Sequence, residues 1–368
     1  MDLALSPEQE EYRNQVREVL SAAPPPEPGQ GADREPGLLE VYRTLGARGL
    51  LAPDWPKEYG GLGLSPVEKN LLTEELARHG VPVSTHTLAV DIVGLGVLLF
   101  GRDDQRQRYL PPLARGEATA AVLFSEPDAG SDLGALQTRA EPDGDGWRLH
   151  GRKIYNLKAH LASVGLCAAR TTSAGIGVHG ITLFLVPLPT PGVLVSPLWS
   201  ISDERFNQVT LSGVRVTRDD MLGELDDGFY VLSRILGLER TGIEFEGRAH
   251  YMRDLLMQHA ADVGGLGDPG LVELDARVRA SRLLSWRCVE NLVRDSPDDV
   301  ACAVAKWYAG EAARDVALHA LDVFGLAGVL AGQPSESAYR DAPGQTLASG
   351  SAEMMLGIIA STGLGLPS

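Results

Sequence analysis

The period of the hydrophobic pattern changes twice along this chain, and those two changes limit what it can fold into more than any single motif. Before about residue 119 apolar residues recur at helical spacing, as at Leu38, Leu39, Tyr42, Leu45 and Leu50. Short β-type runs then take over, at 147–150, 181–186 and 209–211, separated by Gly, Pro and Asp turns. From Phe229 helical spacing returns, broken at 264–270 and again near 332–334. A mostly α, α+β chain is predicted, with a helical domain over 1–118, a β-domain over 119–228 and a helical domain over 229–368. At 368 residues the chain exceeds the size at which one core stops growing, so two or three domains are expected.

Local signals agree with this division. Ser6-Pro7-Glu8-Gln9-Glu10 and Ser65-Pro66-Val67-Glu68 each place a capping serine before a proline and a first turn with carboxylates, which starts a helix. Residues 23–37, rich in Pro and Gly, read as a loop.

Composition removes several classes of function. Lys+Arg 33 against Asp+Glu 49 gives a net charge of −16, which opposes adhesion to nucleic acid or anionic membrane. The N-terminus lacks a basic segment and a long apolar core, and the apolar run 88–100 is short and interrupted by Asp91. Cytoplasm is the expected location. Cys167, Cys288 and Cys302 have no Cys-x-x-Cys spacing and lie in apolar surroundings, as buried thiols do. The eight His are scattered, so no metal is expected, and no Gly-x-Ser-x-Gly elbow is present.

Chemistry concentrates first at Leu123-Phe-Ser-Glu-Pro-Asp-Ala-Gly-Ser-Asp132, which follows the apolar run Ala120–Leu123. A Pro three residues before a Gly makes a tight turn whose N–H groups, with Ser125 and Ser131, suit the polar edge of a planar cofactor or a phosphate. Turn capping is the alternative role for both serines.

In order and spacing this stretch, Gly151-Arg-Lys-Ile-Tyr-Asn156, Ile181 to Pro187, Phe206-Asn-Gln-Val209 and Leu222-Gly-Glu224 resemble the acyl-CoA dehydrogenase family of flavoenzymes. Residues 51–65, Glu74-Glu75-Leu-Ala-Arg78, Arg108 to Leu113, Phe324-Gly325 with Gly328, and Arg340-Asp341-Ala342 extend the likeness over nearly the whole chain. The resemblance implies two helical domains around a small β-barrel, the second helical domain being a four-helix bundle. It implies an FAD held between the β-domain and the C-terminal helices and completed by a neighbouring subunit. It also implies removal of an α-proton and a β-hydride from an acyl thioester, carried on coenzyme A or a carrier protein. The electron acceptor implied is an electron-transfer flavoprotein, and the assembly a homo- or hetero-oligomer with a subunit of the same fold.

Matched residue by residue, Phe124, Ser125, Ser131, Tyr155, Gly325, Gly328, Ser351 and Glu353 become cofactor contacts, and Ser131 and Arg240 substrate contacts. Most of the family carries its base in a Tyr-Glu-Gly-Thr-Ser sequence; here Ser349 stands there, and a serine cannot take the proton unaided. A minority, including the isovaleryl type, carries it in Leu-x-Leu-Glu-Arg, matched by Ile235-Leu236-Gly237-Leu238-Glu239-Arg240. Glu239 is therefore the catalytic candidate, against the plain alternative of a helix carboxylate paired to a cation. Glu246, seven residues on and on the same face of a continuous helix, is its reserve. Gly237 and Gly242 would leave room for a branched or bulky chain. Where the family has an aromatic-x-hydroxyl pair against the flavin, Tyr155 keeps the ring and Leu157 lacks the hydroxyl. With the replaced segment at 264–270, these departures leave two further readings open. One is a flavin-poor subunit serving as the structural half of a heteromer, as in actinobacterial members that act on steroid side chains. The other is a member turned to a different step of a biosynthetic pathway.

Overall fold

The computed structural model describes residues 4–23, 35–172, 177–202, 204–262 and 267–367. Both serine–proline signals start helices. Ser6 precedes α1 (Pro7–Ala22), its hydroxyl accepting from the Gln9 amide while the Gln9 side chain accepts from the Ser6 N–H. Ser65 precedes α3 (Pro66–Arg78), accepting from Val67 N–H while Glu68 accepts from Ser65 N–H. Helix α2 (Glu35–Ala47) begins inside the segment expected to be a loop, of which residues 24–34 lie outside the described residues.

Beyond α3 a helical rod runs through α4 (Ser84–His86), a wide π-type segment (Thr87–Gly94) and α5 (Leu95–Phe100), followed by α6 (Asp103–Ala114). Nothing in the sequence pattern announces the π turn. It lets Asp91 sit within an otherwise apolar run, and such turns gather at functional sites. Among the described residues no helix is long and apolar enough to cross a membrane.

Among the described residues eight strands form the central sheet: β1 (Ala120–Leu123), β2 (Arg139–Asp143), β3 (Gly146–Lys153), β4 (Val164–Arg170), β5 (Ile181–Pro187), β6 (Val193–Leu198), β7 (Phe206–Thr217) and β8 (Met221–Leu222). Their order is β6-β7-β3-β2-β4-β5-β8, with β1 running parallel to β4. Strands β4 and β5 are buried on both faces, so they lack polar alternation. Leu166, Ala168, Leu183 and Leu185 face a core shared with Leu88, Val90 and Leu110 of the first helices. Cys167, Ala169, Phe184 and Val186 face the sheet's own core with Leu149, Val209 and Leu211. Sheet and helices are thus welded through one set of side chains.

The C-terminal third contains α7 (Gly228–Glu239), α8 (Ile243–Asp262), α9 (Pro269–Val293), α10 (Asp299–Phe324), α11 (Pro334–Leu347) and α12 (Ala352–Ile358). Helices α8, α9 and α10 bury Ala249, Met252, Leu256, Leu274, Val278 and Val316 between them. Small residues set the spacing: a Cβ on Gly247 would fall 2.5 Å from Ala77 Cβ of α3. All three cysteines are buried and free. Of the glycine-rich connector, 263–266 lie outside the described residues; at its end Asp268 accepts from Gly270 N–H and caps α9.

Candidate active site

The continuous helix expected after Phe229 is broken at 240–242. Helix α7 stops at Glu239, Gly242 takes a left-handed φ of 81°, and Thr241 Oγ donates to Asn70 Oδ1 of α3 at 3.0 Å. That break aims Glu239 into a small pocket. Ser349, which has a φ of 54° and lies in the turn between α11 and α12, lines the same pocket. The two positions at which the family can carry its base therefore converge on one cavity, and only one of them holds a carboxylate.

Glu239 Oε2 is buried and has no hydrogen-bond partner. Burial pushes the carboxyl up to about 7; Glu244 and Asp91 add to this against Arg240 and Lys69. Its place at the negative end of α7 acts in the same direction. Across the pocket Lys306, pushed down to about 8 by burial, donates to Gly350 O at 2.7 Å and to Gln345 O at 3.3 Å. This lysine fixes the Ser349–Gly350 turn. Arg240 also lines the pocket, with its Nε buried and unbonded.

Glu246 does not share this face, because the break at 240–242 resets the helical phase. It is buried against α3, 3.5 Å from Arg78 and paired with His250 Nδ1, outside the pocket lining. Gly242 does not open space either. A Cβ there would meet Ser285 Oγ at 2.8 Å, and the nearest atom to one on Gly237 is Asp299 Oδ1 at 3.7 Å.

The second half of the site is the end of the sheet. Ile154 N–H donates to Ser125 O at 2.9 Å, setting the 124–126 segment beside 153–155. Fully buried Lys153 ties them, 2.7 Å from Glu126 and 3.1 Å from Phe124 O, while Glu126 also accepts from the Gln137 and Thr138 amides. Burial pushes the Glu126 carboxyl up, but Lys153 and these donors hold it below the usual carboxylate range. Tyr155, at a φ of 56°, is 62% exposed as a residue, with its ring edge-on to Phe206 at 6.3 Å. Ser131 is exposed on the turn and Ser125 half-buried. A tyrosine held in strained, left-handed backbone beside a serine suits one wall of a planar ring such as a flavin. Leu157 packs against the core and adds no hydroxyl.

Buried charges join the two halves. Lys158 lies 2.7 Å from Glu204, Ser84 donates to Glu204, and Arg248 contacts Glu204, Glu244 and Asp341 at 3.8, 3.1 and 2.7 Å. Glu244 in turn borders the Glu239 pocket.

The remaining expected contacts fall into two groups. Ser351 follows the Ser349 turn and caps α12 through Met354 N–H, with Glu353 exposed in the first turn. Gly325 and Gly328 lie past the end of α10, whereas Lys306 is eighteen residues earlier on that helix, about 27 Å away at its rise per residue. One chain does not bring them to its own Glu239. Sequence reasoning missed Lys69, Asp91, Glu244 and Lys306; the available signal was a lone charge in an apolar run, at Asp91 and at Lys306.

A sheet packed between two helical domains, with the buried carboxyl of Glu239 opening on a pocket, is the arrangement the acyl-CoA dehydrogenase resemblance implies. Residues 6–117, 121–214 and 226–364 match the acyl-CoA dehydrogenase N-terminal, middle and C-terminal domains. The chain is 32% identical over 355 residues to acyl-CoA dehydrogenase IpdE1 of Mycobacterium tuberculosis, covering 92% of this chain and 91% of that one. It is 30% identical over 333 residues to the human mitochondrial short-chain specific acyl-CoA dehydrogenase, covering 86% and 81%. Among solved structures, the Tcur3481-Tcur3483 steroid ACAD matches at 30% identity with a TM-score of 0.89 and full coverage of both chains. The glutaryl-coenzyme A dehydrogenase complex with glutaryl-CoA gives 26% and 0.89, covering 100% of this chain and 98% of that one. This chain belongs to the acyl-CoA dehydrogenase family. It is an acyl-CoA dehydrogenase-like oxidoreductase of a class that uses FAD.

Proposed function

We propose that this chain introduces an α,β double bond into an acyl thioester, with Glu239 as the base that takes the α-proton on Oε2. The observation that carries this reading is the buried, unpartnered Oε2 in a pocket shared with Ser349. FAD, when bound, supplies the acceptor for the β-hydride. The side chains beside its ring would be Tyr155, Ser125 and Phe124. Lys306 holds the turn opposite the base, and burial, by raising the carboxyl's proton affinity, makes Glu239 a stronger base than a solvated carboxylate.

The proton acceptor must be anionic, and its acid form dominates below its raised pKa. Activity is therefore lost as pH falls through that value. kcat/KM is expected to drop below about pH 7 with unit slope. A profile flat down to about pH 5 would count against Glu239.

Domain limits near 118 and 228 and a cytoplasmic home complete the reading, as does electron transfer to a flavoprotein acceptor. A neighbouring subunit of the same fold would bring its Gly325–Gly328 end to this chain's flavin wall, since the chain's own lies about 27 Å along α10 from Lys306 of the Glu239 pocket. Exposed Leu326, Val329, Leu330 and Leu364 give that contact apolar surface. The steroid relative Tcur3481-Tcur3483 is named for two components, which makes an unlike partner reasonable. Light scattering is expected to give an oligomer, alone or with the product of a neighbouring gene; a monomer in both cases overturns this part. A colourless oligomer would instead favour the structural-subunit reading.

A further inference from the structure

We propose that Cys288 of α9 and Cys302 of α10 form a reversible disulfide that clamps the break at 240–242. The two helices meet here through a small cluster, Cys288, Cys302 and Ala305, with Leu284 and Ala301 packed around it. Both cysteines are free and buried, 1% and 5% exposed. A thiol-to-thiol hydrogen bond pushes Cys288 above and holds Cys302 below the ordinary thiol range, and Arg240 of the pocket lowers Cys302 further. The pair thus supplies an attacking thiolate and a resolving thiol side by side. Cys167, by contrast, lies in the sheet's own core, where burial pushes its thiol up to about 11. Cys302 is also near solvent: its N–H donates to Asp298 O at the start of α10, under the exposed connector 293–299. Helix ends of this kind open locally at low cost.

The oxidant is a hydroperoxide. The Cys302 thiolate attacks one of its oxygens, an S–O bond forms as the O–O bond breaks, and the departing hydroxide or alkoxide takes up the thiol's proton. Cys288 then attacks the Cys302 sulfur; the S–S bond forms as the S–O bond breaks, and hydroxide leaves with the Cys288 proton as water. The two thiols give up two electrons, the hydroperoxide receives them, and a dithiol reductant reverses the change. Gly242 connects this pair to the active site. A Cβ there would lie 2.8 Å from Ser285 Oγ and 3.1 Å from the Ala305 carbonyl carbon, so the break is pinched between α9 and α10 about one turn from each cysteine. Joining sulfurs from contact to a bond of about 2 Å draws the helices together at that level. The turn that aims Glu239 is held more tightly as a result.

The test needs no substrate, so it stands apart from the dehydrogenase reading. The purified oligomer would be treated with hydrogen peroxide, denatured, alkylated and mapped by mass spectrometry without reduction. Alkylation is expected at Cys167 alone, with one peptide pair joined through Cys288 and Cys302 and released by dithiothreitol. Hydrogen exchange of the native protein would then be compared before and after oxidation. Amides at 240–242 are expected to exchange at least about threefold more slowly in the oxidised protein, and to recover on reduction. Cys288→Ala and Cys302→Ala, checked for unchanged thermal unfolding, should lose both the cross-link and the slowing; Cys288→Ser and Cys302→Ser serve where an alanine variant does not fold. Alkylation of all three cysteines after treatment overturns the inference. So does oxygenated Cys302 without a cross-link, or a cross-link that leaves exchange at 240–242 unchanged.

Discussion

Glu239→Gln in the flavin-loaded oligomer is expected to lower turnover by roughly a hundred- to ten-thousandfold, the cost of removing a general base. The substitution keeps the shape and volume of the side chain, so the packing at the end of α7 is preserved and flavin content should match wild type. What disappears is the proton acceptor at Oε2, a buried atom for which the protein provides no other partner. The acidic limb of the pH profile should disappear with it. Ser349→Ala serves as the comparison, because Ser349 borders the same pocket but is not asked to take a proton. Its turnover should stay within roughly tenfold of wild type. Near-normal turnover in Glu239→Gln would move the base to the partner chain, since Glu246 is held by Arg78 and His250 away from the pocket.

Lys153→Met is expected to cost about 3–5 kcal/mol of stability, because it leaves Glu126 buried without its cation. The loss would be a large share of the roughly 5–15 kcal/mol typical of a folded domain. The effect should be functional as well as structural. Lys153 ties the Phe124 carbonyl to Glu126, and the neighbouring Ile154–Ser125 hydrogen bond sets Tyr155 beside Ser125. Denaturant titration followed by flavin and tryptophan fluorescence should therefore show flavin released before the chain unfolds. A loss below about 1 kcal/mol with coincident transitions would mean that the pair neither stabilises the sheet end nor supports the flavin wall.

How much of this was legible in the sequence depends on whether the signal was local. Capping chemistry is local, so Ser6 and Ser65 marked helix starts correctly. Strand β4 was not legible. Val-Gly-Leu-Cys-Ala-Ala-Arg has little β-branching and no alternation, because both of its faces are covered by the rest of the fold. The phase of Glu246 was misjudged for a related reason. A single left-handed glycine at 242 separates it from Glu239, and helical spacing alone does not reveal that break. The motif singled out Glu239 as a candidate, while its burial beside a pocket was not legible. Lys69 and Asp91 come from different helices and meet only through the tertiary fold, so no spacing announced them.

The central claim is that Glu239 takes the α-proton, and proton exchange reads that step apart from hydride transfer. The probe is an acyl-CoA with sulfur in place of its β-carbon, which has an α-proton to lose and no β-hydride to give. It would be incubated in deuterated buffer with the flavin-loaded oligomer, and deuterium at the α-carbon followed by mass spectrometry. Wild type is expected to exchange the proton, and Glu239→Gln to slow exchange by at least about a hundredfold. Exchange at the wild-type rate in Glu239→Gln would contradict the account.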